Sequence, residues 1–208
     1  MPESEDFRRE LVLASGNADK LKELSSMLQP LQWKVRPQSD WEIDEAVEDG
    51  LSFIENALIK ARHASRLTGL PSLGDDSGLV VDALQGRPGI RSSRYAGGDA
   101  DDSANNKKLL HALQGVDLPD RTAHFYCAMV LVRHAEDPAP LIATGKWSGS
   151  ILSHLRGSGG FGYDPLFWVA DRKCSSAELE PAVKNRISHR GQALAVLAGQ
   201  MKDEFGAR

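Results

Sequence analysis

Leu11-Val12-Leu13-Ala14 is a short apolar run, broken at once by Ser15-Gly16-Asn17 and followed by a helical pattern over 18–29. This order constrains the fold more than any other stretch of the chain. The run reads as a short buried strand. Leu21, Leu24 and Leu28 give the helix one apolar face. Strand, small polar loop and helix in succession form an arrangement that holds phosphate near a helix N-terminus.

The rest of the chain extends the pattern. Residues 33–51 are mixed and acidic. Ser52-Phe53-Ile54-Glu55 is a capping box, and the helix it opens carries an apolar stripe through Phe53, Ala57, Leu58, Ala61 and Ala64. Gly69-Leu70-Pro71 ends that helix. Residues 72–84 read as a short strand, an acidic turn and a second strand at Leu79-Val80-Val81. After a glycine- and serine-rich loop over 86–98, a third helix of about 101–114 opens on Asp101, Asp102 and Ser103, as the helix dipole favours. Residues 122–133 and 141–152 form an antiparallel pair. One more strand follows residue 165, and a last helix covers about 188–205 with Leu194, Leu197, Ala198, Met201 and Phe205 along one side. Helices and strands alternate early and strands cluster in the middle, so the expected fold is α/β, a mixed sheet flanked by helices. No repeat and no linker divides the 208 residues, which are read as one domain.

Composition removes several function classes. The formal net charge is −4, which argues against a general nucleic-acid binder. No apolar run reaches the roughly eighteen residues of a membrane span. The acidic start Met1-Pro2-Glu3-Ser4-Glu5-Asp6 lacks the apolar centre of a secretory signal. Cys127 and Cys174 lack metal-ligand spacing and read as reduced thiols, one inside a strand, consistent with a cytoplasmic protein.

Five polar groups resist explanation by packing. Lys20 lies in the first turn of a helix, where its charge opposes the dipole and a bound phosphate would relieve it; a surface lysine paired with Glu23 is the plainer reading. Asp75-Asp76-Ser77-Gly78 sits between apolar residues, where adjacent carboxylates are costly unless neutralised. Mg²⁺ neutralises such groups using one or two carboxylates and substrate phosphate oxygens, with Glu48 as a further ligand; an acidic β-turn explains the four residues equally well. Lys60 flanks the buried stripe of its helix, where a solvated lysine is the default. Lys184-Asn185-Arg186-Ile187-Ser188-His189-Arg190 places cations at the start of the last helix, which suits an anion. Residues 159–165 (Gly-Gly-Phe-Gly-Tyr-Asp-Pro) offer two flat faces, Phe161 and Tyr163, and an acid, Asp164, that fixes the loop or accepts from a ligand. In isolation this last segment is an ordinary glycine-rich turn. Together these parts suit a nucleoside triphosphate with Mg²⁺. There is no Walker loop, dinucleotide fingerprint, His-Glu-x-x-His or Gly-x-Ser-x-Gly.

Six ordered motifs then make the chain resemble the inosine triphosphate pyrophosphatase family (dITP/XTP pyrophosphatases). They are Ser15-x-Asn17-x-x-Lys20-x-x-Glu23, Phe53-x-Glu55-Asn56-Ala57-x-x-Lys60-Ala61, Asp75-Asp76-Ser77-Gly78-Leu79, Gly86-x-Pro88-Gly89-Ile90-x-Ser92-x-Arg94-Tyr95, Gly160-Phe161-Gly162-Tyr163-Asp164-Pro165 and Lys184-Asn185-x-x-Ser188-His189-Arg190. Arg91 and Ser93 depart from the family's more common tyrosine and alanine. The resemblance implies two lobes on a long mixed sheet around a central cleft, a homodimer, and Mg²⁺-dependent hydrolysis of ITP, dITP or XTP to monophosphate and pyrophosphate. It implies Asp76 as general base and metal ligand, with Asp75 and Glu48 supporting the metal. Ser15, Asn17, Lys20, Lys60 and Lys184 hold the triphosphate, with Gly16 and Ser77 completing that set. Phe161, Gly162, Tyr163, Asp164, His189 and Arg190 hold the base. A non-catalytic purine-nucleotide sensor and a metal-dependent nuclease are the other readings. Retention of both Asp75 and Asp76 weighs against the first, and the acidic balance against the second.

Overall fold

The computed structural model describes residues 9–15, 18–98 and 101–205. Its strands, β1 (Arg9–Leu13), β2 (Trp33–Pro37), β3 (Ser72–Val81), β4 (Thr122–Val132), β5 (Leu141–Ile151), β6 (Phe167–Val169) and β7 (Cys174–Ser175), form one seven-stranded sheet in the order β2-β1-β3-β4-β5-β6-β7. The chain folds as two compact units: Met1–Asp76 with Ala128–Thr144 and Ala193–Arg208, and Ser77–Cys127 with Gly145–Gln192. Neither is a continuous segment, because three strands and the last helix run from one unit into the other. No helix of the described residues is long and apolar enough to cross a membrane.

In the first unit, β1 (Arg9–Leu13) and helix α1 (Ala18–Leu28) stand where the opening pattern puts them. Leu11, Val12 and Leu28 are fully buried. β2 (Trp33–Pro37) lies parallel to β1, Leu11 opposite Val35. The sequence hides this strand, since only Trp33 is buried and Lys34 and Arg36 face Glu10 of β1 at 3.8 Å each. Charge is how an edge strand avoids further pairing. Helix α2 (Phe53–Thr68) begins at the Ser52 cap, whose side chain accepts from Glu55 N–H, and ends at Gly69 with φ +72°.

β3 (Ser72–Val81) is a single strand of ten residues, parallel to β1 at its start. The expected acidic turn at 75–78 is therefore absent, and both aspartates lie within the strand. They stay there because each meets a lysine, as described below, so no turn is needed to bring them to water. Gly74 makes the close contact possible: a Cβ there would collide with the Ala57 carbonyl of α2.

In the second unit, helix α3 (Asp102–Ala112) starts at Asp101, which accepts from Ala104 N–H at 2.7 Å. β4 (Thr122–Val132) and β5 (Leu141–Ile151) are sheet neighbours. Residues 133–140 between them are too few for a parallel crossover. β6 (Phe167–Val169) and the unexpected two-residue β7 (Cys174–Ser175) extend the sheet antiparallel. Phe125, Trp147, Tyr163 and Phe167 anchor the core of this unit. Neither cysteine forms a disulfide, and Cys127 is buried.

The last helical region differs from expectation in one respect. A separate helix α4 (Pro181–Ile187) precedes α5 (His189–Phe205), so Lys184 and Arg186 lie in the last turn of α4. Cations are favoured there, not opposed. Pro181 at the first helical position was the available signal.

Candidate active site

The strand order explains why adjacent aspartates are useful. β1 sits between β2 and β3, all three parallel. The β1-α1-β2 crossover and the β2-α2-β3 crossover run in opposite directions, and right-handed connections then place α1 and α2 on opposite faces of the sheet. Successive strand side chains also point to opposite faces. Asp75 therefore meets α1 and Asp76 meets α2. Lys20 Nζ lies 2.9 Å from Asp75 Oδ1 and 2.7 Å from Oδ2. Lys60 Nζ lies 3.3 Å from Asp76 Oδ1 and 3.3 Å from Glu48 Oε1. Such a reversal of winding direction is where open parallel sheets bind ligands, outside the carboxyl ends of the strands.

Asn56 lies within the second motif, and nothing in the sequence assigns it a role. It is fully buried, one helical turn before Lys60. Its Nδ2 donates to Asp76 Oδ2 at 3.2 Å, and its Oδ1 accepts from Gly50 N–H at 2.9 Å. One amide thus orients the catalytic candidate and ties the acidic segment 42–50 to α2. Asparagine on the apolar stripe of a helix was the signal: a buried amide needs partners.

A pocket of ≈160 Å³ opens among Ser15, Lys20, Gln38, Glu48, Lys60 and Asp75. Asp75 is 4% exposed. Burial pushes the Asp76 carboxyl above its ordinary value, and Glu48 adds to that; Lys60 and Asn56 pull it back. Glu48 and Asp76 converge on the same ammonium, a hard-oxygen pair of the kind Mg²⁺ takes. Among the described residues, no group of three metal-ligating side chains converges. Ser15 follows β1 at the pocket, and Ser77 follows Asp76 along β3, half-buried. Gly16 and Asn17 lie outside the described residues.

The second unit builds a different surface. Gly160 and Gly162 hold φ of +74° and +61°. Asp164, 3% exposed, accepts from Phe161 N–H at 2.9 Å, from Ser176 Oγ at 2.8 Å and from Lys184 Nζ. It fixes the loop. Phe161 is 65% exposed, and Lys184 Nζ lies 4.8 Å from its ring centre. Tyr163 corrects the sequence reading. Its ring is in the core, 4% exposed, and its hydroxyl donates to the Ser92 carbonyl at 2.8 Å, so it offers no stacking face. Burial raises its pKa further. Lys184, expected at the triphosphate, contacts Asp164 and the Phe161 ring. His189 and Arg190 open α5 behind Ser188, whose Oγ accepts from Gly191 N–H at 3.2 Å. The His189 ring stacks on Phe125, 4.9 Å between centres and 14° between planes. One face of that imidazole is therefore fixed by packing.

Comparisons with known proteins match most of the chain. The Ham1 family profile matches residues 11–200. The dITP/XTP pyrophosphatase of Idiomarina loihiensis is 54% identical over 92% of this chain and 96% of its own length. The structure of a HAM1 protein from Coxiella burnetii superimposes with a TM-score of 0.91 at 48% identity, covering 94% of this chain and 99% of that one. The nucleoside-triphosphatase / dITP/XTP pyrophosphatase of Mycobacterium abscessus gives 0.78 at 42% identity over 90% and 97%.

Proposed function

This chain belongs to the Ham1 family, and from that premise we propose that it is a nucleoside-triphosphate pyrophosphatase acting on ITP, dITP and XTP. Water attacks the α-phosphorus, the bond to the bridging oxygen breaks, and monophosphate and pyrophosphate result. The observation that carries the reading is the pair of lysine–carboxylate sets, Lys20–Asp75 and Glu48–Lys60–Asp76, at the carboxyl ends of parallel strands: Lys20, Asp75, Glu48 and Lys60 line one pocket, and Asp76 joins them through Lys60.

Asp76 is the proposed general base. A carboxylate whose pKa is raised by burial takes a proton from water more readily than an exposed one. Asn56 keeps it oriented. Lys20 and Lys60 supply positive charge for phosphate oxygens, which such transfers need more than covalent help. Mg²⁺ fits the converging carboxylates of Asp76 and Glu48, with Asp75 in support, and when bound neutralises phosphoryl charge. Phe161 is the proposed stacking face for the purine, and His189 and Arg190 read its 6-oxo edge. Adenine presents an amino donor there, and a donor facing a donor is strongly discriminated against.

The chain is further proposed to work as a cytoplasmic homodimer, a single domain with no separable linker. Free nucleotides are its substrates, not nucleic acid or membrane. The family resemblance and the mild acidity support this. The test is pyrophosphate release across ITP, dITP, XTP, GTP and ATP with and without Mg²⁺. The expected outcome is turnover of the 6-oxo, non-standard substrates and only with the metal. Equal turnover of ATP, or cleavage of DNA, contradicts the proposal.

A further inference from the structure

The glycine-rich loop of the second unit is gripped from α3. Asp102 Oδ2 accepts a hydrogen bond from Gly162 N–H at 2.6 Å. Asn106 Nδ2 donates to the Gly162 carbonyl at 2.8 Å. Residues four apart share a helix face, so one face of α3 holds both backbone groups of a single loop residue.

Neither side chain is accounted for by the helix itself. Asp101 already caps α3, so Asp102 is not needed for that purpose. Asn106 is 5% exposed, and its Oδ1 has no hydrogen-bond partner. A buried amide with an idle oxygen is less stable than an apolar residue of the same shape. Its retained contact is the one to Gly162. The adjacent residue, Phe161, has its N–H tied to Asp164. Its exposed ring thus stands on a backbone held on both sides. A ring on a loose loop would lose more freedom on binding, and affinity with it.

We propose that Asp102 and Asn106 are positioning residues for base recognition: they fix Gly162, and through it the Phe161 ring, before the nucleotide arrives. This rests on the proposed role of Phe161 as the purine platform. Because stacking acts equally on substrate and transition state, its loss raises KM and leaves kcat.

The variants are Asn106→Asp, which keeps the shape and removes the donor; Asp102→Ala, at an exposed position; and Asp102→Asn, which keeps an acceptor oxygen. Three readouts apply: steady-state kinetics on ITP and ATP, calorimetric binding of inosine monophosphate without metal, and amide hydrogen exchange over 159–165. Asn106→Asp and Asp102→Ala are expected to raise KM for both nucleotides by roughly 3- to 10-fold with kcat retained. They should weaken the monophosphate by the same factor and speed exchange in the loop. Asp102→Asn should restore values near wild type. Unchanged KM and monophosphate affinity in both disruptive variants overturns the inference, whatever happens to thermal stability. An equal loss in Asp102→Asn overturns it too. Monophosphate binding separates this from the wider reading: a wild type that binds it without hydrolysing ITP defeats the proposed activity and leaves the positioning role measurable.

Discussion

At the residue scale, Asp76 combines a proposed function with a cost. Burial raises its pKa, so the folded protein holds that proton more tightly than the unfolded chain does. Folding stability contributed by this group is then lost as pH rises from the unfolded to the folded pKa, and at neutral pH the ionised form opposes folding. Asp76→Asn should therefore lower kcat by about 10²–10⁴-fold while the thermal midpoint of metal-free protein at pH 7 does not fall. Lys60 keeps Glu48 as its counter-ion. Scanning calorimetry and saturating kinetics check both halves, and a near wild-type kcat contradicts the base assignment. The candidate carboxylates and lysines of this site were legible in the sequence because charge among apolar residues is conspicuous. Tyr163 was misread because an aromatic in a glycine-rich loop looks the same whether it faces solvent or core; its hydroxyl's partner, Ser92, is distant in sequence. Asn56 went without a role because one amide on a helix stripe has no partner visible in the sequence.

At the scale of elements, the long periodic segments were legible and the short ones were not. α2 was readable at both ends from Ser52, Glu55 and Gly69, since caps are local chemistry. β2 and β7 exist through their neighbours, and nothing within five or two residues demands a strand. β3 was divided in two because Asp-Asp-Ser-Gly is good turn sequence. What keeps it straight is non-local, the lysines of α1 and α2. Gly74 is the joint between β3 and α2. Gly74→Ala should push the strand from the Ala57 carbonyl, costing roughly 1–3 kcal/mol of stability. It should also cut kcat/KM through displaced Asp75 and Asp76. Chemical denaturation with parallel kinetics checks this, and unchanged values for both would show the contact to be slack.

At the scale of the molecule, chemistry is divided by topology. Winding reverses at β1 in the first unit, and that reversal sends α1 and α2 to opposite faces, so two neighbouring aspartates acquire two separate lysines. The second unit carries an exposed aromatic on a pinned loop and a histidine stacked at a helix start. The mixed sheet with flanking helices was readable from the order of segments; two lobes were expected from the family resemblance alone, because strands pass through both units and leave no linker to see. The central claim is attack by water at the α-phosphorus of a 6-oxo purine triphosphate. The most direct measurement is hydrolysis of ITP in heavy-oxygen water with Mg²⁺, followed by mass spectrometry of the first products. The expected result is inosine monophosphate carrying the label and unlabelled pyrophosphate. Labelled pyrophosphate, or inosine diphosphate with orthophosphate, would contradict it.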